Sequence, residues 1–171
     1  LKFGGLVALA LVLYPVVFRD RRRFGWFLAA MATLLLTLLS PLNTLADGFL
    51  FSAHMTQHIV LLLIVPGMLM LSLPEQLSLA RGPRFLSTPF IGWLAGVGAM
   101  WFWHAPTLCN AAVSSRPIHV LQTGSLLVLG SLFWRQILAP RDSERLSPPA
   151  AVLYLFSACV TCSILGIIIT F

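Results

Sequence analysis

Long apolar stretches follow one another along the whole chain, and their length constrains the fold more than any motif does. Six of them can be counted, at about 3–18, 24–41, 50–72, 87–104, 118–138 and 149–171. A helix needs roughly 20 apolar residues to cross the hydrocarbon core of a bilayer. Because lipid offers no hydrogen bonds, each stretch must pair its own backbone groups and is predicted to be helical. The expected fold is an all-α, polytopic transmembrane bundle of about six helices.

The composition points to a membrane domain without a soluble module. Hydrophobic residues make up 58% of the chain and charged residues 9%, whereas soluble domains carry about 25% charged residues. The connections between the apolar stretches are short, and none is rich in Gly and Ser. We therefore expect one transmembrane domain over residues 1–171, surrounded by the lipid bilayer. The sequence starts at Leu1 and ends at Phe171 inside an apolar run, so we expect it to be part of a longer protein.

The basic residues lie mainly in alternate connections. Nine of the 11 Lys and Arg residues are in the first, third and fifth connections, namely Arg19, Arg21, Arg22, Arg23, Arg81, Arg84, Arg135, Arg141 and Arg145. Loops of membrane proteins that are rich in Lys and Arg face the cytoplasm. This predicts a multi-pass protein of the bacterial cytoplasmic (inner) membrane, with its amino end outside and with outer loops at 42–49 and 105–117. The same placement accounts for the net charge of +6 without a nucleic-acid partner.

All four histidines of the chain are predicted to lie at the outer, periplasmic side of the membrane. His54 and His58 fall in the first two turns of the third stretch, and their i, i+4 spacing puts them on one helix face. His104 comes just before Pro106, which ends the fourth stretch because proline cannot continue a helix. His119 lies in the first turn of the fifth stretch. Three helices should thus deliver four imidazoles to one layer.

Sulfur atoms accompany the histidines on the predicted outer side, where Met55 supplies a thioether and Cys109 a thiol. Imidazole binds copper, zinc, iron and nickel, and soft sulfur beside it favours Cu(I). We hypothesise a copper site whose candidate ligands are His54, His58, His104, His119 and Met55. Two alternatives stay open. A histidine near a helix end can be an ordinary interfacial residue, and Met55 points about 100° away from its neighbour His54, as a packing residue would.

Other patterns are interpreted as packing. Cys159 and Cys162 form a C-x-x-C in the last stretch, near mid-membrane, where no other donors are expected. Gly92 and Gly96 allow close helix contact in the fourth stretch, and Pro66 predicts a kink in the third. The sequence contains no Ser-His-Asp arrangement, phosphate loop or intramembrane carboxylate. No enzymatic activity is therefore predicted.

Two motifs carry a family resemblance: F-S-A-H-M-T-Q-H at residues 51–58 and W-H-A-P at residues 103–106. Together they resemble the CtaG family of polytopic cytochrome c oxidase assembly factors, over most of the chain from about Tyr14 to Phe171. The single-helix copper chaperone of the same name is not similar. The resemblance implies a role in building haem–copper oxidases by supplying copper, with an oxidase subunit as partner. It also implies a further, seventh helix after Phe171, and its motif positions are His54, Met55, His58, His104 and His119.

A copper role would mean accepting Cu(I) at the outer face and passing it on to the oxidase by ligand exchange. Two other functions stay open. A bis-histidine haem b, held for example by His58 and His119, would make the chain an electron-transfer subunit. However, two stacked haems usually carry electrons across a membrane, and the sequence has no second histidine layer. The other is a structural or pigment-binding subunit of a respiratory or photosynthetic complex.

Overall fold

Helices make up most of the part that the computed structural model describes, which comprises residues 20–39, 51–74 and 88–171. The helices, in chain order, are α1 (Arg21–Leu39), α2 (residues 51–72), α3 (Pro89–Trp103), α4 (Pro106–Ser114), α5 (Arg116–Leu138) and α6 (Pro148–Thr170). A 3₁₀ turn, Asp142–Glu144, lies between α5 and α6. No strand occurs in these three stretches, which agrees with the predicted all-α fold.

Five of the six predicted helices are confirmed, with ends within three residues of the predicted ones. Four stretches are long and apolar enough to cross a membrane, namely Arg21–Leu39, His54–Ser72, Arg116–Leu138 and Pro148–Thr170. Helix α3 is apolar as well, but it has only 15 residues. The chain is therefore a multi-pass membrane protein. The predicted helix at 3–18, the loop at 42–49 and the arginines Arg19, Arg81 and Arg84 lie outside the described residues.

The prediction of a loop at 105–117 was wrong, because most of this segment is helix α4. Pro106 does end α3, but it also occupies the start of α4. Proline is well suited to a first helical position, where its missing N–H would have had no helical partner. Pro117 repeats the pattern at the start of α5. Pro106 was predicted only as a stop signal, whereas it also begins a new helix.

Helix α5 lies at the centre of the described bundle. It packs against α2, α3 and α4, while α1 packs against α2. The close approach of α3 to α5 depends on glycine, because a Cβ on Gly96 would come within 2.6 Å of the Phe133 ring. Helix α6 packs mainly on α3 and remains largely exposed along its apolar surface. The hydroxyl of Tyr154 in α6 donates a hydrogen bond of 3.1 Å to the carbonyl of Phe133 in α5.

The start of α1 and the connection between α5 and α6 meet at one end of the bundle. Arg22 and Arg145 line the same small cleft there, and the buried Arg135 pairs with Glu144 at 3.4 Å. We call this the arginine end, defined by Arg21, Arg22, Arg23, Arg135, Arg141 and Arg145. The other end is the histidine end, defined by His54, His58, His104 and His119. Successive long helices therefore alternate in direction between the two ends.

Helix α2 changes its winding in the middle. It consists of α-helical Phe51–Ile59, π-helical Val60–Ile64 and α-helical Val65–Ser72. The wider turn lies directly before Pro66. This proline has no N–H to donate to the carbonyl of Leu62, four residues earlier, and its ring would clash with that carbonyl in a regular helix. A π turn at this place moves the carbonyl away from the ring.

Gly130 of α5 meets α2 at this irregular turn. A Cβ on Gly130 would lie against the carbonyl oxygen of Leu62 and 2.8 Å from Cγ of Pro66. Only a residue without a side chain therefore lets the two backbones come this close. Gly124, six residues earlier in the same helix, has nothing within 4 Å of the corresponding Cβ position.

Replacing Gly130 by alanine should force α5 away from α2. We expect Gly130→Ala to destabilise the folded bundle by about 1–3 kcal/mol, the usual cost of overpacking. The matched variant Gly124→Ala should keep or raise stability, because alanine favours helix by about 1 kcal/mol and meets no neighbour there. Unfolding of both variants in detergent, followed by circular dichroism, measures the difference. Equal stability of the two variants would contradict the close contact at Gly130.

Candidate metal centre

His54 and His58 lie one turn apart on the buried face of α2. Their ring centroids are 4.3 Å apart and their planes are tilted by 52°. Both side chains are buried, with 7% and 2% of their surface exposed, and Gln57 between them is buried too. The i, i+4 spacing of the sequence thus places two imidazoles side by side inside the bundle, as the helix geometry predicts.

His104 brings a third ring to the same place from α3. Its ring centroid lies 5.0 Å from that of His58 and 6.4 Å from that of His54. The residue caps the carboxyl end of α3, and its backbone N–H bonds back to the carbonyl of Met100. The neighbouring Trp103 fixes this helix end, because its indole N–H donates a 2.8 Å hydrogen bond to Ser125 Oγ of α5.

Two sulfur atoms stand beside the imidazoles. The thioether of Met55 lies 3.0 Å from Nε2 of His104, and the thiol of Cys109 in α4 lies 4.0 Å from Nε2 of His54. Partial burial raises the pKa of the Cys109 thiol, so this thiol is protonated near neutral pH. The side chains of Met55 and His54 point in different directions from α2, yet each lies close to a donor atom of another helix.

His58 is oriented by α5. Its imidazole is hydrogen-bonded to the side chain of Gln122. The buried atoms of this pair that have no partner among the described residues are His58 Nδ1 and Gln122 Nε2. The remaining polar atoms of the pair are His58 Nε2 and the amide oxygen of Gln122, so a bond between them would have the ring N–H at Nε2 donate to the amide oxygen. Nδ1 of His58 then has no hydrogen-bond partner among the described residues.

His119, the fourth candidate, lies in the first turn of α5, as predicted. Its side chain is half-buried, and it is close enough to His58 for the two to interact electrostatically. It also shares a helix face with Gln122, three residues further along. The structure thus brings three rings into contact at the histidine end, with the fourth at the same helix level.

The distances can be compared with those of a metal site. An ion about 2.0 Å from a ring nitrogen lies roughly 3 Å from the ring centroid, so two rings on one ion have centroids no more than roughly 6 Å apart. Two of the three pairs fall within this limit and the third, at 6.4 Å, lies at its edge. The 3.0 Å between Met55 Sδ and His104 Nε2 fits one ion bonded to both at roughly a right angle.

The candidate side chains lie close together, but their donor atoms do not point at a common centre. The rings meet tilted or edge to face. In residues 20–39, 51–74 and 88–171, no three His, Cys, Asp or Glu side chains already point at one centre. Rotation about side-chain torsions would be needed to point the ring nitrogens at a single ion.

Gln122 was not among the predicted site residues. Its signal was present in the spacing, because Gln122 lies three residues after His119 and a buried amide near a histidine commonly orients the ring. Cys109 was predicted to be a loop residue. Helix α4 brings this thiol back towards His54, which required a helix in the segment predicted as a loop.

Comparison with known proteins identifies the family. The family model described as "Cytochrome c oxidase caa3 assembly factor (Caa3_CtaG)" matches residues 10–171. No curated protein and no solved structure matches the chain. Because the family match covers nearly the whole chain, the chain belongs to the cytochrome c oxidase caa3 assembly factor family. A role in oxidase assembly follows, and this role implies no catalysis by the chain itself.

Proposed function

We propose that this assembly factor binds Cu(I) at the histidine end and hands it to a subunit of the oxidase. The observation that carries the proposal is the contact of three buried imidazoles, those of His54, His58 and His104, with the Met55 thioether 3.0 Å from the last of them. Imidazole with soft sulfur is a donor set that selects copper, and Cu(I) in particular, over magnesium or calcium. A haem–copper oxidase must acquire copper during its assembly.

The chemistry of the donors also suits release. Imidazole and thioether are neutral ligands, so a bound Cu(I) ion keeps its positive charge in a buried place. Burying an uncompensated charge is unfavourable, and this limits how tightly the ion is held. Cys109 stands 4.0 Å from His54 as a further donor. A copper ion can therefore move between the donors by ligand exchange, in which one bond forms as another breaks.

The geometry favours an ion over a haem among these three rings. A haem ligated by two imidazoles needs room for a flat macrocycle between them. The ring of His58 lies within 5.0 Å of the rings of both His54 and His104 and fills the place that the macrocycle would occupy. Haem ligation by His58 and His119 would appear in the experiment below as a Soret band of the purified protein.

The orientation in the membrane supports delivery on the outer side. The described arginines apart from Arg116 gather at the arginine end, and such clusters face the cytoplasm. The histidine end would then face the periplasm. We infer that the chain lies in the bacterial inner membrane with its copper site facing outward, where an oxidase subunit can receive the ion.

Copper binding is tested on the protein purified in detergent. We expect the His54→Ala/His58→Ala variant to hold about one copper per chain less than the wild type, because both imidazoles bind the same ion. Protein is equilibrated with Cu(I) without oxygen and desalted, and the bound metal is measured by elemental analysis. Met31→Leu serves as the control, because Met31 is buried in α1 and belongs to no candidate site. Equal copper content in the double variant and the wild type would refute the histidine site.

Gln122 should raise the affinity of this site for Cu(I) without binding the ion itself. Gln122→Leu removes the amide that orients the His58 ring, and we expect the affinity for Cu(I) to fall about 10- to 100-fold. Competition with a chromophoric Cu(I) chelator measures the affinity. Gln136→Leu is the matched control, since Gln136 is also a buried amide of α5 but lies near the arginine end. If both variants bind like the wild type, the hydrogen bond to Gln122 has no part in the site.

The proposed orientation can be tested through Cys109. In intact cells that carry Cys159→Ser/Cys162→Ser, a membrane-impermeant maleimide should label Cys109 from outside. Labelling should become faster as the pH rises, because the thiolate is the reactive form and burial raises the pKa of this thiol. A variant that also carries Cys109→Ser provides the background. Labelling only after the membrane is broken would place the histidine end in the cytoplasm.

A further inference from the structure

An apolar cleft of about 550 Å³ lies between α6 and α2 and is also lined by residues of α3 and α5. It reaches from Met55 and His104 at the histidine end to Trp134. Helix α6 is fixed mainly to α3, and the indole N–H of Trp93 donates a 3.0 Å hydrogen bond to Ser157 Oγ on this side. The space between α6 and α2 therefore stays open, and it begins at the proposed copper site.

Sulfur atoms line this cleft at several levels. They belong to Met55, Met100, Cys159 and Cys162. Helices α3 and α6 both run from the arginine end to the histidine end, and the bond between Trp93 and Ser157 sets them in register. With a rise of about 1.5 Å per residue, Cys162 lies about 3 Å from the level of Met100, and Met100 lies about 6 Å from the level of His104. The cysteines thus continue a series of soft donors that starts at the histidines.

We propose that Cys159 and Cys162, with the thioether of Met100, form a second site for a soft monovalent cation, Cu(I), inside this cleft. The proposal rests on the proposed function, because it takes copper from the histidine site. The two thiols are three residues apart on α6, with Cβ atoms about 5–6 Å apart, and they interact electrostatically. Two sulfurs on opposite sides of one ion, each about 2.3 Å from it, are about 4.6 Å apart. Side chains at this spacing can reach that separation.

The transfer is a ligand exchange without a change of oxidation state. Cu(I) gives up a nitrogen or thioether bond at the histidine site and forms a Cu–S bond with the thiolate of one cysteine. The proton of that thiol passes to an imidazole nitrogen that the ion vacates at the histidine site, such as that of His104, which lines the same cleft. The remaining donors, a thiol and the Met100 thioether, are neutral. The complex of Cu(I) with one thiolate carries no net charge, so apolar walls accept it more readily than a free cation.

This second site predicts a particular pattern of copper contents. The wild type should hold about two Cu(I) ions per chain and Cys159→Ser/Cys162→Ser about one, because thiolates select Cu(I). The His54→Ala/His58→Ala variant should keep about one, with sulfur as its main ligand in X-ray absorption at the copper edge. Ser163→Ala, at another residue that lines the cleft, is the control and should match the wild type.

Each outcome separates the two sites. If the cysteine variant holds as much copper as the wild type, the second site is refuted and the histidine site stands. If the His54→Ala/His58→Ala variant holds as much copper as the wild type while the cysteine variant loses copper, the histidine site is refuted.

Alkylation of the wild type gives a test that does not depend on the variants folding. Bound Cu(I) should slow the reaction of Cys159 and Cys162 with N-ethylmaleimide at least about tenfold, because a coordinated thiolate is no longer available as a nucleophile. An unchanged alkylation rate would overturn the proposal.

Discussion

The contact between α2 and α5 at Gly130 is the constraint on which the candidate site depends. At this point a helix backbone without a side chain packs against the turn that Pro66 distorts. From there towards the histidine end the two helices stay close enough for Gln122 to bond His58. Helix α3 joins them through Gly96 and through the hydrogen bond of Trp103, and this brings His104 to the same place. The imidazoles therefore meet because three helix backbones approach closely.

The elements of the fold could be predicted from the sequence because a membrane imposes simple rules. Apolar stretches of about 20 residues must be helices, and five of the six described helices end within three residues of the predicted positions. The i, i+4 spacing of His54 and His58 and the proline after His104 were enough to place these side chains at one end. The family was also apparent from two short motifs, and the match over residues 10–171 confirms it.

Contacts between helices could not be predicted in the same way. Sharing a level in the membrane does not decide which helix faces which, and that depends on shape, as at Gly96 and Phe133. The π turn at Val60–Ile64 adds to the difficulty, because one extra residue per turn rotates everything before it relative to a regular helix. If the residues of α2 were assigned to helix faces by counting back from Val65–Ser72 as in a regular α-helix, His58 would be placed on the wrong face. Helix α4 escaped prediction because proline both ends and begins helices.

Buried polar atoms that have no hydrogen-bond partner among the described residues bear on how tightly the proposed site would hold an ion. In the interior of a membrane protein each such atom is unfavourable by several kcal/mol. Two of them, His58 Nδ1 and Gln122 Nε2, belong to one hydrogen-bonded pair at the histidine end, close to fully buried leucines such as Leu126. Under the proposed copper function, a cation on His58 Nδ1 would remove part of this cost and so strengthen binding. The neutral ligands would leave the charge of that cation uncompensated, which would weaken binding. The two effects would oppose each other, so that the ion could be captured and then passed on.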